Sequence, residues 1–273
     1  MLHPYRLTST LLGAGVLAAS SWSAPAAAQG DLLVAPTRVI VSGAGSSEVV
    51  LSNIGNTAAT YRISLELRRM EADGNFKEVT ETEATPAEKA ALEMVRHAPR
   101  RITLMPGQPQ AVRISARPAP ELPDGEYRVH MSFRAVPPAV APEDAAREAA
   151  AAGGGLTIKL TPVYGITIPV FVRKGNLEGK AGIANAQLVR SELDMTRSGQ
   201  RSVYGELIGK SPSGEVLFNM RGVAVYAELT RRSVRVPIAS DQLARLRGPV
   251  RIEYRELPEN GGQLLADTTA NLN

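Results

Sequence analysis

Leu156-Thr157-Ile158-Lys159-Leu160-Thr161-Pro162-Val163-Tyr164-Gly165-Ile166-Thr167-Ile168-Pro169-Val170-Phe171-Val172 puts an apolar residue or a proline at every even position. Only an extended chain gives side chains a period of two, so this is the signature of a β-strand. At about 3.3 Å per residue the stretch would reach about 56 Å, roughly three times an ordinary strand. Two readings remain open. The segment breaks at Pro162 or Gly165 into two ordinary strands, or it is built into a sandwich from Ile166 onward and offers Leu156, Ile158 and Leu160 to another protein. An exposed apolar edge invites aggregation, so the second reading implies a partner that covers it.

The same period recurs outward from this stretch, at 33–41, 48–52, 61–67, 110–116, 127–136, 203–208, 223–229, 233–238 and 250–254. Asp73-Gly74, Pro106-Gly107, Asp124-Gly125, Ser198-Gly199, Pro212-Ser213-Gly214 and Asn260-Gly261-Gly262 supply turn chemistry between the runs. The pattern predicts an all-β protein, a sandwich rather than a helical bundle. Two segments depart from it. Thr85-Pro86-Ala87-Glu88 has the capping residue, first-turn proline and third-position glutamate of a helix start, continuing to about residue 95. Residues 142–152 are rich in Ala and Glu and end in Gly153-Gly154-Gly155, which predicts a second short helix inside a long loop over 137–155. An interdomain linker is expected at Arg173, where the apolar strand ends. It divides the chain into domains 29–174 and 175–273, the latter of about the hundred residues that one immunoglobulin-like sandwich needs.

Residues 1–28 read as a secretory signal: Arg6, a short apolar run over 11–19, then Ala26-Ala27-Ala28 as a small-residue cleavage site, with no acidic residue before Asp31. The run is too short to span a bilayer, so the mature protein is expected to be exported without a membrane span. Among 273 residues there is no cysteine, which excludes disulfide staples, zinc-thiolate sites and thiol nucleophiles. A formal net charge of +4 is too small to argue for nucleic-acid binding. The single tryptophan, Trp22, would leave with the signal, and aromatic residues make up only 4% of the chain, which is lean for a base- or sugar-stacking surface.

Catalysis has no candidate constellation. After the signal only His97 and His130 remain, and His130, between Val129 and Met131 in a predicted strand, reads as a partly buried, hydrogen-bonded histidine rather than a general base. Gly205-Glu206-Leu207-Ile208-Gly209-Lys210-Ser211 looks like a phosphate loop one residue short and is expected in a hairpin. The arginine pairs at 100–101 and 231–232 read as solvated strand edges. No metal or other cofactor is expected, and the chain reads as a non-enzyme.

Five blocks, in order, carry a resemblance. Leu33-Val34-Ala35-Pro36-Thr37-Arg38-Val39-Ile40, Val50-Leu51-Ser52-Asn53, Arg101-Ile102-Thr103-Leu104-Met105-Pro106-Gly107-Gln108 with Val112-Arg113-Ile114, Leu122-Pro123-Asp124-Gly125-Glu126-Tyr127 with Phe133-Arg134-Ala135-Val136-Pro137, and Ile168-Pro169-Val170-Phe171-Val172-Arg173 together resemble the first domain of the PapD-like periplasmic chaperones of pilus assembly. The second domain matches in size and β character only. The resemblance implies two immunoglobulin-like sandwiches at an angle, a periplasmic location, and pilus or fimbrial subunits as partners, with an outer-membrane usher beyond them. It also implies that Leu156, Ile158 and Leu160 form the donor strand that completes a subunit's fold. The family's carboxylate-anchoring arginine falls on Arg38. Its lysine does not carry over: the matching position, four before Arg173, is Pro169, Thr167 is uncharged, and Lys159 is the substitute the sequence offers. About four extra residues separate Leu160 from the strand's end, and Met105 stands where the family places an acid used between domains, so the chain reads as a divergent member. The alternative is an exported structural or adhesin-type sandwich without a chaperone cycle, which would share fold and export but need no free strand beside Arg38.

Overall fold

The structure, a computed structural model, describes residues 32–137, 163–239, 241–242 and 248–271. The expected signal at 1–28, the loop and helix expected over 142–155, and Leu156, Ile158, Lys159 and Leu160 lie outside the described residues.

Two sheets form the first sandwich. One runs β1 (Leu32–Ala35), β3 (Ser46–Asn53), β8 (Pro109–Ala116), β6 (Val95–Ala98); the other runs β2 (Val39–Ser42), β10 (Gly165–Lys174), β9 (Gly125–Val136), β4 (Ala59–Met70), β5 (Phe76–Val79), with β7 (Arg101–Leu104) also on β4. Alternation builds the core: Val49, Leu51, Val112 and Ile114 of the first sheet belong to one buried cluster with Tyr61, Val129, Phe133 and Val170 of the second. The run expected at 33–41 is not one strand. Pro36 has no N–H to give to a ladder, and between Ala35 and Val39 the chain changes sheets, leaving β1 antiparallel to β3 and putting β2 parallel to β10. Asn53 is buried where β3 ends, its amide donating to the carbonyls of Thr57 (2.7 Å) and Leu104 (3.0 Å). The Tyr127 hydroxyl donates to the Pro123 carbonyl at 2.7 Å, a tyrosine corner that fixes the entry to β9. The helix α1 (Pro86–Met94) starts as expected, with Thr85 and Glu88 capping each other's backbone. Arg69 grips the same Glu88 carboxylate at 3.0 and 2.7 Å.

The second sandwich sets β11 (Gly179–Gln187), β12 (Glu192–Gly199) and β15 (Arg231–Arg235) against β14 (Val216–Val225), β13 (Val203–Lys210), β16 (Val250–Arg255) and β17 (Leu264–Ala270). Leu193, Met195 and Val234 face Leu207, Phe218, Ile252 and Tyr254 in its core. The phosphate-loop look-alike is the body of β13. Its glycines serve packing: a Cβ at Gly205 would strike the Arg255 carbonyl oxygen, and one at Gly209 the Phe218 ring. In β16, Val250, Ile252 and Tyr254 are buried as their alternation requires, but Glu253 is buried as well. Hydrogen bonds from Arg255 Nε (2.9 Å) and Lys210 Nζ (3.0 Å) hold its carboxylate below the usual carboxylate range, and Arg251 Nε also lies 3.2 Å from it.

His130 corrects a second expectation. It is buried, but its Nδ1 finds no hydrogen-bond partner, and its ring meets Phe76 edge-on with centroids 5.3 Å apart. Burial, reinforced by Arg128 and Arg68, pushes its pKa down to about 3. An unfolded chain takes up a proton near pH 6.5 and the native one does not. Stability therefore falls as pH drops through the window from about 6.5 to about 3, by up to about 1.4 kcal/mol per pH unit. Urea denaturation at pH 7 and pH 4.5 should show this loss, and His130→Gln should remove most of that part of the slope. An unchanged slope in the variant would mean that His130 is not held neutral.

Candidate functional site: the cleft between the sandwiches

A third apolar cluster joins the two units: Met70 and Phe171 from the first, Ala224 and Tyr226 from the second. Phe171 is an odd-numbered residue of β10. Its neighbours Val170 and Val172 enter the first core, so period two turns Phe171 the other way, onto the Tyr226 ring at 5.4 Å. Polar contacts frame the cluster. Arg128 donates to both oxygens of Glu228 (2.9 and 2.7 Å) and lies 4.2 Å from the Tyr226 ring centroid, Glu228 accepts from the Met70 N–H at 2.8 Å, and the Ser233 N–H donates to the Ala72 carbonyl at 2.7 Å. Arg232 is not a solvated edge. Its Nη1 donates to the Ala224 carbonyl at 2.8 Å, and its guanidinium occupies the space a Cβ on Gly74 would need, so the β4–β5 hairpin touches the second sandwich there.

Arg38, leaving the sheet crossover, enters the cleft beside this cluster. Its guanidinium carbon lies 3.8 Å from the Phe171 ring centroid, 4.5 Å from Tyr204 and 5.7 Å from Tyr226, and Nη2 donates to Ser202 Oγ at 3.1 Å. Nη1 is buried and makes no hydrogen bond of ordinary geometry. Desolvation pulls the Arg38 pKa below its ordinary value, while Tyr226 and Glu126 oppose that pull. A guanidinium stays charged through such a shift, so the cleft holds a partly desolvated cation stacked on aromatic rings. The cleft has a volume of about 380 Å³, and Arg38 and Arg173 of the first sandwich and Arg201, Ser202, Glu256 and Glu259 of the second are among the residues that line it.

Arg173 is the penultimate residue of β10, and the connecting chain begins after Lys174, whose ammonium is held by the carbonyls of Ala119, Pro120 and Leu122. The Arg173 Nε donates to Glu126 Oε2 at 2.9 Å, and Glu126 Oε1 accepts the Ser202 N–H at 2.9 Å. With its side chain only 1% exposed, Glu126 ties the end of β10 to the second sandwich. Sequence reading passed over Glu126, Ser202, Tyr204 and Tyr226. Glu126 was visible only as the residue before Tyr127, and the other three lie where the chain carries no motif.

The edge of β10 is half covered. β9 pairs with it along its whole length, Gly165–Lys174, whereas β2 pairs with Val170–Arg173 alone. Among the described residues no strand pairs with the β2-facing side of residues 165–169. Pro169, which lacks an N–H, suits such an edge. Val163 and Tyr164, which lead into it, are each 50% exposed.

No protein-family model matches the chain, and no curated protein matches it. Solved structures do. The YadV chaperone aligns with a TM-score of 0.50 at 15% identity, over 88% of this chain and 98% of that one. The two share a fold. At this identity the likeness is one of fold, and it bears out the two-sandwich, all-β architecture that the resemblance implied. The E. coli chaperone DraB (TM-score 0.48, 13% identity, 89% and 96% covered) and a chain of the Salmonella enterica SafA pilin–SafB chaperone complex (0.47, 15%, 88% and 95%) also match. Among the described residues no group of His, Asp and Glu is arranged to hold a metal ion, and no helix is long and apolar enough to cross a membrane.

Removing the Glu126 carboxylate would strand the Arg173 charge and the Ser202 N–H. Glu126→Ala is expected to lower the unfolding free energy by about 3–5 kcal/mol, measured by urea denaturation. A loss under about 1 kcal/mol would mean that water replaces the carboxylate and that the joint does not depend on it.

Proposed function

We propose that the protein is a periplasmic chaperone of pilus or fimbrial subunits, lending a strand to an incomplete subunit fold until assembly. The observation that carries this reading is the edge of β10 over residues 165–169, which no strand covers among the described residues and which runs directly into the cleft that Arg38 lines. An incoming extended segment would gain ladder hydrogen bonds along residues 165–169. Where β2 takes over the ladder at Val170 that segment must stop, and its terminal carboxylate would lie near Arg38, a donor suited to a charge-assisted hydrogen bond in a sheltered site. Upstream, Leu156, Ile158 and Leu160 would enter the subunit's open groove. Their burial would contribute on the order of 5–8 kcal/mol before ordering costs. The chaperone fold supports the same reading, and delivery to an outer-membrane usher would follow from it.

The test is capture. Co-expressed with the products of neighbouring genes and purified from the periplasm, the protein should bring down a small β-rich partner. Leu156, Ile158 and Leu160 changed together to Ser, or Arg38→Ala alone, should reduce the captured amount at least tenfold while each variant still gives the β-sheet circular dichroism spectrum of the folded protein. Undiminished capture by both folded variants would contradict strand donation, and recovery of the protein on the cell surface without a partner would favour the structural or adhesin-type alternative.

A further inference from the structure

Three arginines stand in one row across the second sheet of the first sandwich. Arg62 of β4 is directly opposite Arg101 of β7 on one side and Arg134 of β9 on the other, and all three are exposed. Period two sets their face: Tyr61 and Ile63 enter the core, so Arg62 points away from it. Neighbouring strands lie about 4.8 Å apart, which gathers the three backbone positions within about 10 Å. Like charges directly opposite each other weaken a sheet, and Arg62 has one on each flank.

The sheet does not neutralise them. The next positions on the same face are Thr60 and Ser64 on β4, Thr103 on β7, and Ser132 and Val136 on β9, all uncharged. The first carboxylate along that face of β4, Glu66, already accepts from Arg68 Nε at 2.7 Å and Thr167 Oγ1 at 3.3 Å. Among the described residues no hydrogen bond or ion pair reaches the side chains of Arg62, Arg101 or Arg134, whereas Arg69, Arg128 and Arg221 each hold a glutamate. Arg100, the residue before β7, is exposed and adds a fourth cation at that end. On β10 the row continues with Gly165, so no side chain stands beside Arg134 there.

Shape and charge select the ligand. The row is one residue wide, flanked by hydroxyls and an alkyl group rather than by further cations, so it fits a linear anion and not the plane of a membrane. Each guanidinium presents a planar fork that matches one carboxylate. A few such forks match a segment with a few carboxylates, while a long polyphosphate calls for a wider positive field than a net charge of +4 supplies. We propose that Arg101, Arg62 and Arg134 form a docking strip for an extended acidic segment of a partner protein, whose carboxylates supply the counter-charge that the sheet lacks. The strip lies on β4, β7 and β9, so this goes beyond strand donation and stands without it.

The probe is a fluorescein-labelled peptide of alternating Asp and Ser, with binding read by fluorescence anisotropy at low ionic strength. The wild-type protein should bind it and ignore the same peptide with Lys for Asp. Arg62→Thr should weaken binding by about tenfold or more, and Arg113→Ser, an exposed arginine on the other sheet, should not change it. Arg62→Thr should also raise the urea midpoint at low salt, a gain that fades in about 1 M salt, where the screening length is about 3 Å. The variant with Leu156, Ile158 and Leu160 changed to Ser should bind the probe as the wild type does, whatever becomes of strand donation. Equal binding by wild type and Arg62→Thr, equal loss in Arg113→Ser, or loss in the Leu156, Ile158 and Leu160 variant would overturn the strip. Retention of phosphatidylglycerol vesicles or polyphosphate in place of the peptide would overturn the acidic segment as its ligand. Tighter peptide binding after Glu143, Asp144 and Glu148 are changed together to Ser would make the chain's own acids the occupant and overturn the partner.

Discussion

A single break in the backbone ladder organises the cleft and the strand that leads into it. Pro36 cannot donate to a ladder, and across Pro36, Thr37 and Arg38 the chain passes from one sheet of the first sandwich to the other. Because the crossover comes where it does, β2 reaches only as far as Val170, and among the described residues no strand lies on that side of the first half of β10. The same crossover delivers Arg38 into the cleft at the point where the covered half begins. Edge and cation are two consequences of one local constraint.

What makes the cleft a defined place is the joint beneath it. Period two sends Phe171 away from the core that Val170 and Val172 enter, so the strand that carries the open edge also supplies the apolar contact between sandwiches. Arg38 stacks on that contact and Glu126 closes it with one carboxylate shared between Arg173 and the Ser202 N–H. A buried carboxylate satisfied on both oxygens holds geometry more firmly than it adds net stability, since desolvation offsets much of the pairing energy. Its contribution here is to fix where the second sandwich stands relative to β10.

Much of this was legible in the sequence, for reasons that can be named. Each turn quoted at the outset falls at a strand end or in the connection between two consecutive strands, because glycine conformations and proline geometry act locally. Thr85 and Glu88 announce the helix for the same reason. Arg38 was singled out by resemblance alone, and its contact with Ser202, 164 residues away, was not legible. What escaped reading were side chains whose role is set by a distant partner: Arg232 against the β4–β5 hairpin, His130 covered by Phe76, Glu253 inside three cations, and the tyrosines around Arg38. Period two says which face a residue takes. It does not say what covers that face, and β14 opens with Val216 exposed and unremarkable to a pattern search.

The account stands or falls on whether the half of β10 that β2 leaves unpaired receives a strand from a partner. Amide hydrogen exchange along β10, measured on the protein alone and on its complex with a co-expressed subunit, reads this directly. Slowing confined to amides between Gly165 and Ile168, with Val170–Val172 protected equally in both states, is the expected result. Exchange along 165–168 that is as fast in the complex as in the free protein would contradict it.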